Sequence, residues 1–351
     1  MRVVITGATG NVGTSLLRVL ADENRVTEIV GVARRVPTLQ MPKTTWVSAD
    51  VSADPLEGVF AGADAVVHLA WLIQPSRDQE KLARVNVDGS RRVFEAAAAA
   101  GVGALVHASS IGAYSPGPDD RPVDESWPTD GTPTAWYARH KALTERALDE
   151  VEAANPALRV VRLRPGLVFK REAATGIRRL FAGPLLPNAL LRPSWLKLLP
   201  VPAGLRVQAV HSMDVADAYR LAVVDEHARG AYNVAADPVL DARTIGDALG
   251  ARVVQVPPKA VRLGALASWK AHLQPTPPGW LDMGMSVPIM DTSRVRTELG
   301  WSPRWTAEEA LADLIEGMSE GAVYATPPLS REASGPARVR ELLTGVGHRE
   351  P

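Results

Sequence analysis

Tyr137 and Lys141 form a Y-x-x-x-K pair that could carry out acid–base chemistry. In a helix, residues four positions apart lie on one face, so the two side chains would be neighbours. A nearby ammonium group stabilises a phenolate, and it therefore lowers a tyrosine pKa that is ordinarily about 10. We expect Tyr137 to exchange a proton with a substrate hydroxyl or carbonyl near neutral pH.

Two serines, Ser109 and Ser110, follow an apolar segment that predicts a strand over residues 104–108. A serine hydroxyl at the C-terminal end of a parallel strand can donate a hydrogen bond to an oxygen on which charge develops. The serines are therefore candidates for binding the same substrate oxygen that Tyr137 protonates.

A glycine-rich turn lies between the first predicted strand and the first predicted helix. Its glycines, at 7, 10 and 13, give the pattern G-x-x-G-x-x-G. The first glycine permits a tight turn, the second lets the backbone approach a pyrophosphate, and the third allows close packing of helix on strand. The helix N-terminus then offers N–H donors to the phosphates. The residues that we assign to the cofactor from this turn are Gly7, Thr9, Gly10, Asn11, Val12 and Gly13.

The end of the second predicted strand bears on the choice between NAD and NADP. An acidic residue about 20 positions beyond the turn would bind the ribose 2′-hydroxyl. Here that position is Ala33, and Arg34 and Arg35 follow it. Two guanidinium groups could hold a 2′-phosphate, so NADP is favoured over NAD, although the arginines could also be solvated loop residues. Asp50 could accept from the adenine amino group or simply close a turn.

Apolar runs alternate with helical patterns through the first half of the chain. Strands are predicted at 2–6, 28–33, 45–48, 65–69, 104–108 and 159–164, and helices at 12–21, 78–100 and 133–154. This alternation predicts an α/β fold with a Rossmann-type, doubly wound parallel sheet and a smaller C-terminal substrate-binding portion. We expect the dinucleotide-binding domain over 1–165, joined again by 206–235. The substrate-binding portion would comprise 166–205 and 236–320, and 321–351 would be a loosely ordered tail with one short helix near 337–343.

Composition excludes several kinds of partner and site. The 39 Lys and Arg residues balance the 39 Asp and Glu residues, so nothing attracts the chain to nucleic acid or to an anionic membrane. Cysteine is absent, which excludes disulfides and thiolate chemistry, and no metal-binding motif is present. The chain begins in a predicted strand without a signal peptide, and its most apolar run is broken by prolines. We therefore expect a cytoplasmic protein that acts on a small-molecule substrate.

Eight short segments in one order carry a family resemblance. They are T-G-A-T-G-N-V-G at 6–13, Asp50-Val51, His68-Leu69-Ala70, Asn86-Val87-Asp88-Gly89-Ser90, Ser109-Ser110 with Tyr114, Tyr137 with Lys141, Arg164-Pro165-Gly166, and Asp291-Thr292-Ser293-Arg294 with Leu299-Gly300-Trp301. Over about residues 1–317 the chain resembles an extended short-chain dehydrogenase/reductase of the NAD-dependent epimerase/dehydratase family.

The resemblance implies roles for individual residues. Ser110 would be the catalytic serine and Tyr137 the acid/base. Lys141 would tune the tyrosine and hold the nicotinamide ribose, and Asn86 would organise the lysine and a water molecule. Further cofactor contacts would come from Val51, Leu69, Ala70, Tyr137 and Pro165. The resemblance also implies a homodimer formed through the helices at 78–100 and 133–154.

The sequence differs from the family pattern at positions expected to bind the substrate. UDP-sugar epimerases of this family read R-D-Y-I-H where this chain has V-Q-A-V-H at 207–211, and no Arg or Lys lies between Lys270 and Arg294. Apolar residues stand in this part instead, and Trp71 follows His-Leu-Ala where the family often has a small residue. The candidate lining residues are Phe181, Leu185, Leu186, Leu190, Leu191, Trp195, Leu198, Leu199, Trp280, Met283 and Met285.

Three functions fit these observations. The favoured one is NADP(H)-dependent hydride transfer at the carbonyl or carbinol carbon of a small, fairly apolar substrate. The first alternative is a nucleotide-sugar epimerase or dehydratase with tightly bound NAD. The second is a regulatory dinucleotide-binding protein without catalysis, which would not need the tyrosine–lysine pair.

Overall fold

A computed structural model describes residues 1–330 except 75, 119, 175, 178–196 and 275. Its central sheet has seven strands in the spatial order β11-β6-β5-β4-β1-β2-β3, and every neighbouring pair is parallel. These strands are β1 (Arg2–Thr6), β2 (Glu28–Ala33), β3 (Thr44–Ser48), β4 (Ala65–His68), β5 (Ala104–Ala108), β6 (Arg159–Pro165) and β11 (Gly230–Val234). The predicted doubly wound parallel sheet is confirmed.

Helices cover both faces of the sheet. They are α1 (Asn11–Ala21), α2 (Glu57–Phe60), α3 (Gln79–Ala83), α4 (Gly89–Ala99), α5 (Trp136–Ala154), α6 (Ser212–Val224), α7 (Ala242–Ala248), α8 (Pro258–Lys270), α9 (Gly279–Ser286), α10 (Ser293–Leu299) and α11 (Ala307–Glu320), with 3₁₀ turns at Ile111–Ala113 and Arg171–Ala173. On one face α1 and α6 bury Leu16 and Tyr219, and on the other α4 and α5 bury Phe94 and Leu148. Because both faces are covered, the strands are nearly continuous apolar runs.

The order of the strands reverses between β1 and β4, since β1 pairs with β2 on one side and with β4 on the other. In an open α/β sheet, a ligand binds in the crevice outside the carboxyl ends of the strands at such a reversal. The glycine-rich turn follows β1 and Leu69-Ala70 follows β4, so both sequence motifs reach this crevice.

One predicted helix, over 78–100, is divided in the structure. A π turn at Arg84–Asp88 separates α3 from α4. The side chain of Asn86 lies in this turn, and its amide exchanges two hydrogen bonds with the backbone of Leu72. Single π turns inside helices often occur at functional sites, and here the turn aims one amide at the loop after β4.

Smaller pairs of strands complete the fold after β6. The pairs are β7 (Leu167–Phe169) with β10 (Ala209–His211), β8 (Leu198–Pro202) with β13 (Arg252–Val256), and β9 (Arg206–Val207) with β12 (Leu240–Asp241). The segment 206–211 thus forms two strands, which are separated at Gln208. The Gln208 side chain exchanges hydrogen bonds with the backbone of Met290 and so joins this region to the loop before α10.

Residues 321–330 correct the expectation of a loose tail that begins at 321. Thr326 is 1% exposed and Leu329 is also buried. The hydroxyl of Thr326 donates to the backbone oxygen of Thr9, which ties this segment to the glycine-rich turn. The helix predicted near 337–343 and the apolar lining residues predicted at 181–195 lie outside the described residues.

Two kinds of feature, a membrane-spanning helix and a metal-ligand cluster, are absent from the described residues. None of the helices there combines the length and the apolar character that a membrane span requires. In the same part of the chain, no group of three His, Cys, Asp or Glu side chains is placed to hold a metal ion.

Candidate active site

The glycine-rich turn packs too closely for side chains. Gly7 has φ +74°, and a Cβ at this position would lie 2.6 Å from the backbone nitrogen of Ala70. A Cβ on Gly13 would lie 2.5 Å from the oxygen of Gly7, and one on Gly10 would lie 3.3 Å from the same oxygen. The turn therefore needs glycine at 7 for its conformation and at 13 for the close approach of α1 to β1.

The N-terminus of α1 fits a diphosphate. No side chain caps this helix end, and its first turn contains no acidic residue. An uncapped helix N-terminus presents backbone N–H groups and a partial positive charge to an anion. The Asn11 amide donates to the oxygen of Val168, but its own Oδ1 is buried and finds no partner among the described residues. These donors, together with the unsatisfied oxygen, suit the phosphates and hydroxyls of a dinucleotide.

Arg34 and Arg35, which we predicted to bind the 2′-phosphate, follow β2 and are both exposed. Asp50 follows β3, and its carboxylate accepts hydrogen bonds from the backbone and the hydroxyl of Ser52. Burial raises the pKa of Asp50, but the hydrogen bonds from Ser52 and the charges of Arg34 and Arg84 outweigh this effect, so the pKa is lowered. Asp50 thus closes a turn beside Arg34, while Val51 is buried against Gly89.

Tyr137 lies one residue into α5 and contacts the segment after β5. Its ring lies so close to Gly112 that a Cβ there would be 2.9 Å from Cε1. The Ser110 side chain lies near enough to the Tyr137 hydroxyl to lower its pKa, and Ser110 Oγ accepts a hydrogen bond from the nitrogen of Gly112 at 3.0 Å. The structure thus brings together the serine and the tyrosine that the sequence assigned to one substrate oxygen.

The pKa of Tyr137 differs from the sequence-based expectation. Burial raises it to about 12, and the nearby Ser110 side chain offsets only part of this effect. Lys141 Nζ lies 5.9 Å from the centre of the Tyr137 ring. The tyrosine is therefore a protonated phenol at neutral pH.

Lys141 lies one turn further along α5, where its ammonium group is enclosed. Nζ donates to the oxygen of Ala108 at 2.6 Å and lies 3.4 Å from the centre of the Trp71 ring. Burial lowers the pKa of Lys141 to about 7, while the charge of Glu145 raises it. Asn86, which we expected to organise this lysine, instead fixes the backbone of Leu72, the residue after Trp71.

Three tryptophans surround the ring of Tyr137. Its ring centre lies 5.9 Å from that of Trp71, 6.0 Å from that of Trp136 and 5.2 Å from that of Trp280. In the described part of the chain, the buried indole N–H groups of all three meet no acceptor. Met283 adds to this apolar cluster. Sequence reasoning identified Trp280, Met283 and Trp71 but missed Trp136, whose only signal was its position beside Tyr137.

A buried ionic network lies behind the two catalytic candidates. Glu145 is one turn beyond Lys141 on α5 and is 1% exposed. Its carboxylate accepts two hydrogen bonds from Arg164, each 2.9 Å long, and one from the Ser109 hydroxyl at 2.5 Å. Arg164 also donates to the hydroxyl of Tyr114. The network therefore joins α5 to the ends of β5 and β6. Sequence reasoning did not identify Glu145, although its spacing from Lys141 places it on the same face of the helix.

Comparison with known proteins identifies the family. The model of the NAD dependent epimerase/dehydratase family matches residues 3–235, more than half of the chain. The chain belongs to this family. The predicted family and its Rossmann-type fold are confirmed, and NAD is the cofactor that the description of the family names.

The chain is similar to individual proteins of different lengths and different named activities. UDP-glucose 4-epimerase of Mycolicibacterium smegmatis is 29% identical over 90% of this chain and 98% of its own length. An uncharacterized protein of Mycobacterium tuberculosis is 29% identical over 89% of this chain, which spans only 29% of that protein. The dTDP-glucose 4,6-dehydratase DesIV of Streptomyces venezuelae, solved with NAD, shares the fold with a TM-score of 0.70 at 20% identity over 94% of this chain and 100% of its own.

We predict that Glu145 makes folding sensitive to acid. Burial raises the pKa of Glu145, but hydrogen bonds and charges from Arg164, Arg162 and Ser109 lower it to about 2. Since an unfolded carboxyl titrates near 4.5, the carboxylate stabilises the fold above pH 4.5 and loses this effect, worth about 3 kcal/mol, as the pH falls towards 2.

Urea unfolding of the wild type and of Glu145→Gln between pH 7 and 3 measures this effect. The difference between their unfolding free energies should be largest at neutral pH and should shrink below pH 4.5. Glu150→Gln is the matched control, because Glu150 lies on the same helix with its side chain 64% exposed. Parallel pH curves for the wild type and Glu145→Gln would contradict the prediction.

Proposed function

We propose that this chain is an NADP(H)-dependent oxidoreductase that transfers a hydride at the carbonyl or carbinol carbon of a small, fairly apolar substrate. The observation that carries the proposal is the position of Tyr137, which lies beside Ser110 and among the rings of Trp71, Trp136 and Trp280. A phenol is the form that reduction needs, because the carbonyl oxygen takes up a proton as the hydride reaches carbon.

Each residue of the site has a separate role in the proposed reaction. A nicotinamide, when bound, supplies or accepts the hydride. Tyr137 donates its phenolic proton to the substrate oxygen, and Ser110 donates a hydrogen bond to the same oxygen as its charge develops. Lys141 in its charged form attracts the electron pair left on Tyr137 and offers donors to a ribose. Asn86 is a positioning residue, since it fixes the loop that carries Trp71.

The surroundings of Tyr137 favour an apolar substrate over a nucleotide sugar. Its neighbours on three sides are indoles, and Met283 lies 3.2 Å from the Cβ position of Gly112. The position of the family arginine holds Val207, and the adjacent Gln208 side chain is engaged by Met290. Among the described residues, the diphosphate of a nucleotide sugar would therefore lack the arginine that the family places here.

A second candidate is nucleotide-sugar epimerisation or dehydration with tightly bound NAD. The likeness to UDP-glucose 4-epimerase along nearly the full length of that protein favours it. The two functions differ in one measurable respect. The oxidoreductase consumes one dinucleotide per product, whereas the epimerase regenerates its dinucleotide within each turnover.

We also propose a homodimer formed through α4 and α5. Leu143, on α5, is a large apolar residue that is 45% exposed in the single chain. Its position fits a helix face that a second copy covers.

The catalytic assignment predicts a selective loss of turnover. Tyr137→Phe removes the proton donor but keeps the ring, so kcat for the best substrate in a panel of apolar ketones and aldehydes should fall by about 10²- to 10⁴-fold. Dinucleotide affinity should stay within about twofold. The measurement is NADPH oxidation followed by absorbance.

Tyr114→Phe is the matched control for this experiment. It also removes a buried phenolic hydroxyl, but that hydroxyl is held by Arg164 and Asn233 and not by Ser110. Its kcat should remain within a few-fold of the wild type. Near-normal turnover by Tyr137→Phe would overturn the role of Tyr137.

The cofactor assignment predicts the effect of removing the exposed arginines. The double variant Arg34→Ala/Arg35→Ala should weaken NADP binding by about 100-fold or more, since each charge-assisted hydrogen bond contributes about 1.5–3 kcal/mol. NAD affinity should change much less. Calorimetric titration with both dinucleotides measures the ratio, and Arg243→Ala serves as a control because that side chain is 89% exposed on α7. An unchanged ratio of the two affinities would refute the preference for NADP.

A further inference from the structure

Residues 321–330, here called the C-terminal strap, follow α11 and lie beyond the residues that match the family model. The strap folds back on itself. The nitrogen of Tyr324 donates to the oxygen of Leu329, and the nitrogen of Leu329 donates to the oxygen of Thr326. This compact segment has no part in the catalytic geometry around Tyr137, so its position requires a separate account.

One hydrogen bond joins the strap to the glycine-rich turn. The hydroxyl of Thr326 donates to the backbone oxygen of Thr9 at 2.8 Å, and Thr326 is among the most buried polar residues of the chain. Thr9 lies between Gly7 and Gly10, at the centre of the turn. Because a buried hydrogen bond fixes both of its partners, Thr326 restricts the segment that would face the phosphates.

The ring of Tyr324 connects further elements around the same turn. It lies 4.8 Å from the Arg18 guanidinium of α1 and 5.6 Å from the Lys170 ammonium beyond β7. Its hydroxyl reaches the sulfur of Met41, in the loop between β2 and β3 that begins with the two arginines. The strap therefore spans the turn, the first helix and the loop expected to hold the adenosine ribose.

Lys170 adds a buried cation to this assembly. Its ammonium donates to the oxygen of Asn11 and to the hydroxyl of Thr14, both in the first turns of α1. The carboxylates whose charges act on this ammonium, Glu172 and Asp313, have closer cationic partners in Arg18, Arg171 and His211, and the Tyr324 ring lies beside the ammonium. A buried cation without a paired anion strengthens the attraction of the helix end for phosphate.

We propose that the C-terminal strap is a structural part of the dinucleotide site, where Thr326 and Tyr324 are positioning residues that hold the glycine-rich turn and slow the release of the dinucleotide. This inference rests on the dinucleotide binding that the proposed function requires. It assigns a binding role to a segment outside the residues that match the family model. The strap would make retention of the dinucleotide a property of the C-terminal residues and not of the turn alone.

Dissociation of NADPH tests the proposal, followed by stopped-flow fluorescence as excess NADP displaces it. A chain that ends at Ala322 lacks the strap, and a chain that ends at Ser330 keeps it, so the two separate the strap from residues 331–351. The chain ending at Ala322 should release NADPH about tenfold faster than the wild type, and the chain ending at Ser330 should match the wild type.

Thr326→Val tests the hydrogen bond alone, with Thr297→Val as control, because the Thr297 hydroxyl only bonds within α10. Thr326→Val should raise the NADPH dissociation rate and the KM for NADPH about two- to tenfold without lowering kcat. A merely structural role would instead change kcat and thermal stability while leaving the dissociation rate alone. Amide hydrogen exchange of residues 321–330 should also slow when NADP binds.

Equal dissociation rates for the wild type, Thr326→Val and the chain ending at Ala322 would overturn the strap's role. Should the truncated chain fail to fold, equal rates for Thr326→Val and the wild type would do so alone. Failure of the wild type to bind either NADP or NAD is a different result, because it would overturn the proposed function itself.

Discussion

The bidentate pair between Glu145 and Arg164 holds the active site together. Glu145 lies on the same helix as Tyr137 and Lys141, while Arg164 lies near the end of β6 and Ser109 directly follows β5. Three elements that are distant in sequence are therefore fixed to one carboxylate in the interior. A buried carboxylate that lost its partners would cost several kcal/mol, so this arrangement leaves α5 little freedom to shift against the sheet. The positions of Ser110 and Tyr137 depend on that rigidity.

Much of this architecture follows from local sequence. The parallel sheet follows from apolar runs that alternate with helical patterns, and the glycines at 7 and 13 follow from a turn in which no Cβ fits. The contact of Ser110 with Tyr137 was predictable because both motifs lie at the carboxyl ends of the sheet. These features depend on residue types and spacing that short segments of sequence already contain.

The remaining features depend on long-range packing that no local pattern encodes. The pKa of Tyr137 is raised because the surrounding chain buries it, a fact that the spacing to Lys141 does not reveal. The π turn at Asn86, the packing of Trp136 against Tyr137 and the Glu145 network could be predicted only if one knew which elements contact each other. The packing of residues 321–330 was missed for the same reason, since Thr326 is 317 residues from its partner Thr9.

The central claim is that a protonated tyrosine among indoles directs hydride transfer to an apolar carbonyl carbon. The most direct measurement uses NADPH with deuterium at both hydrogens of nicotinamide C4 and a panel of apolar ketones, followed by mass spectrometry of the products. The account predicts deuterium in the alcohol product and one NADPH consumed per product. Turnover of a UDP-sugar without net change in nicotinamide absorbance, and no deuterium in any alcohol, would contradict it.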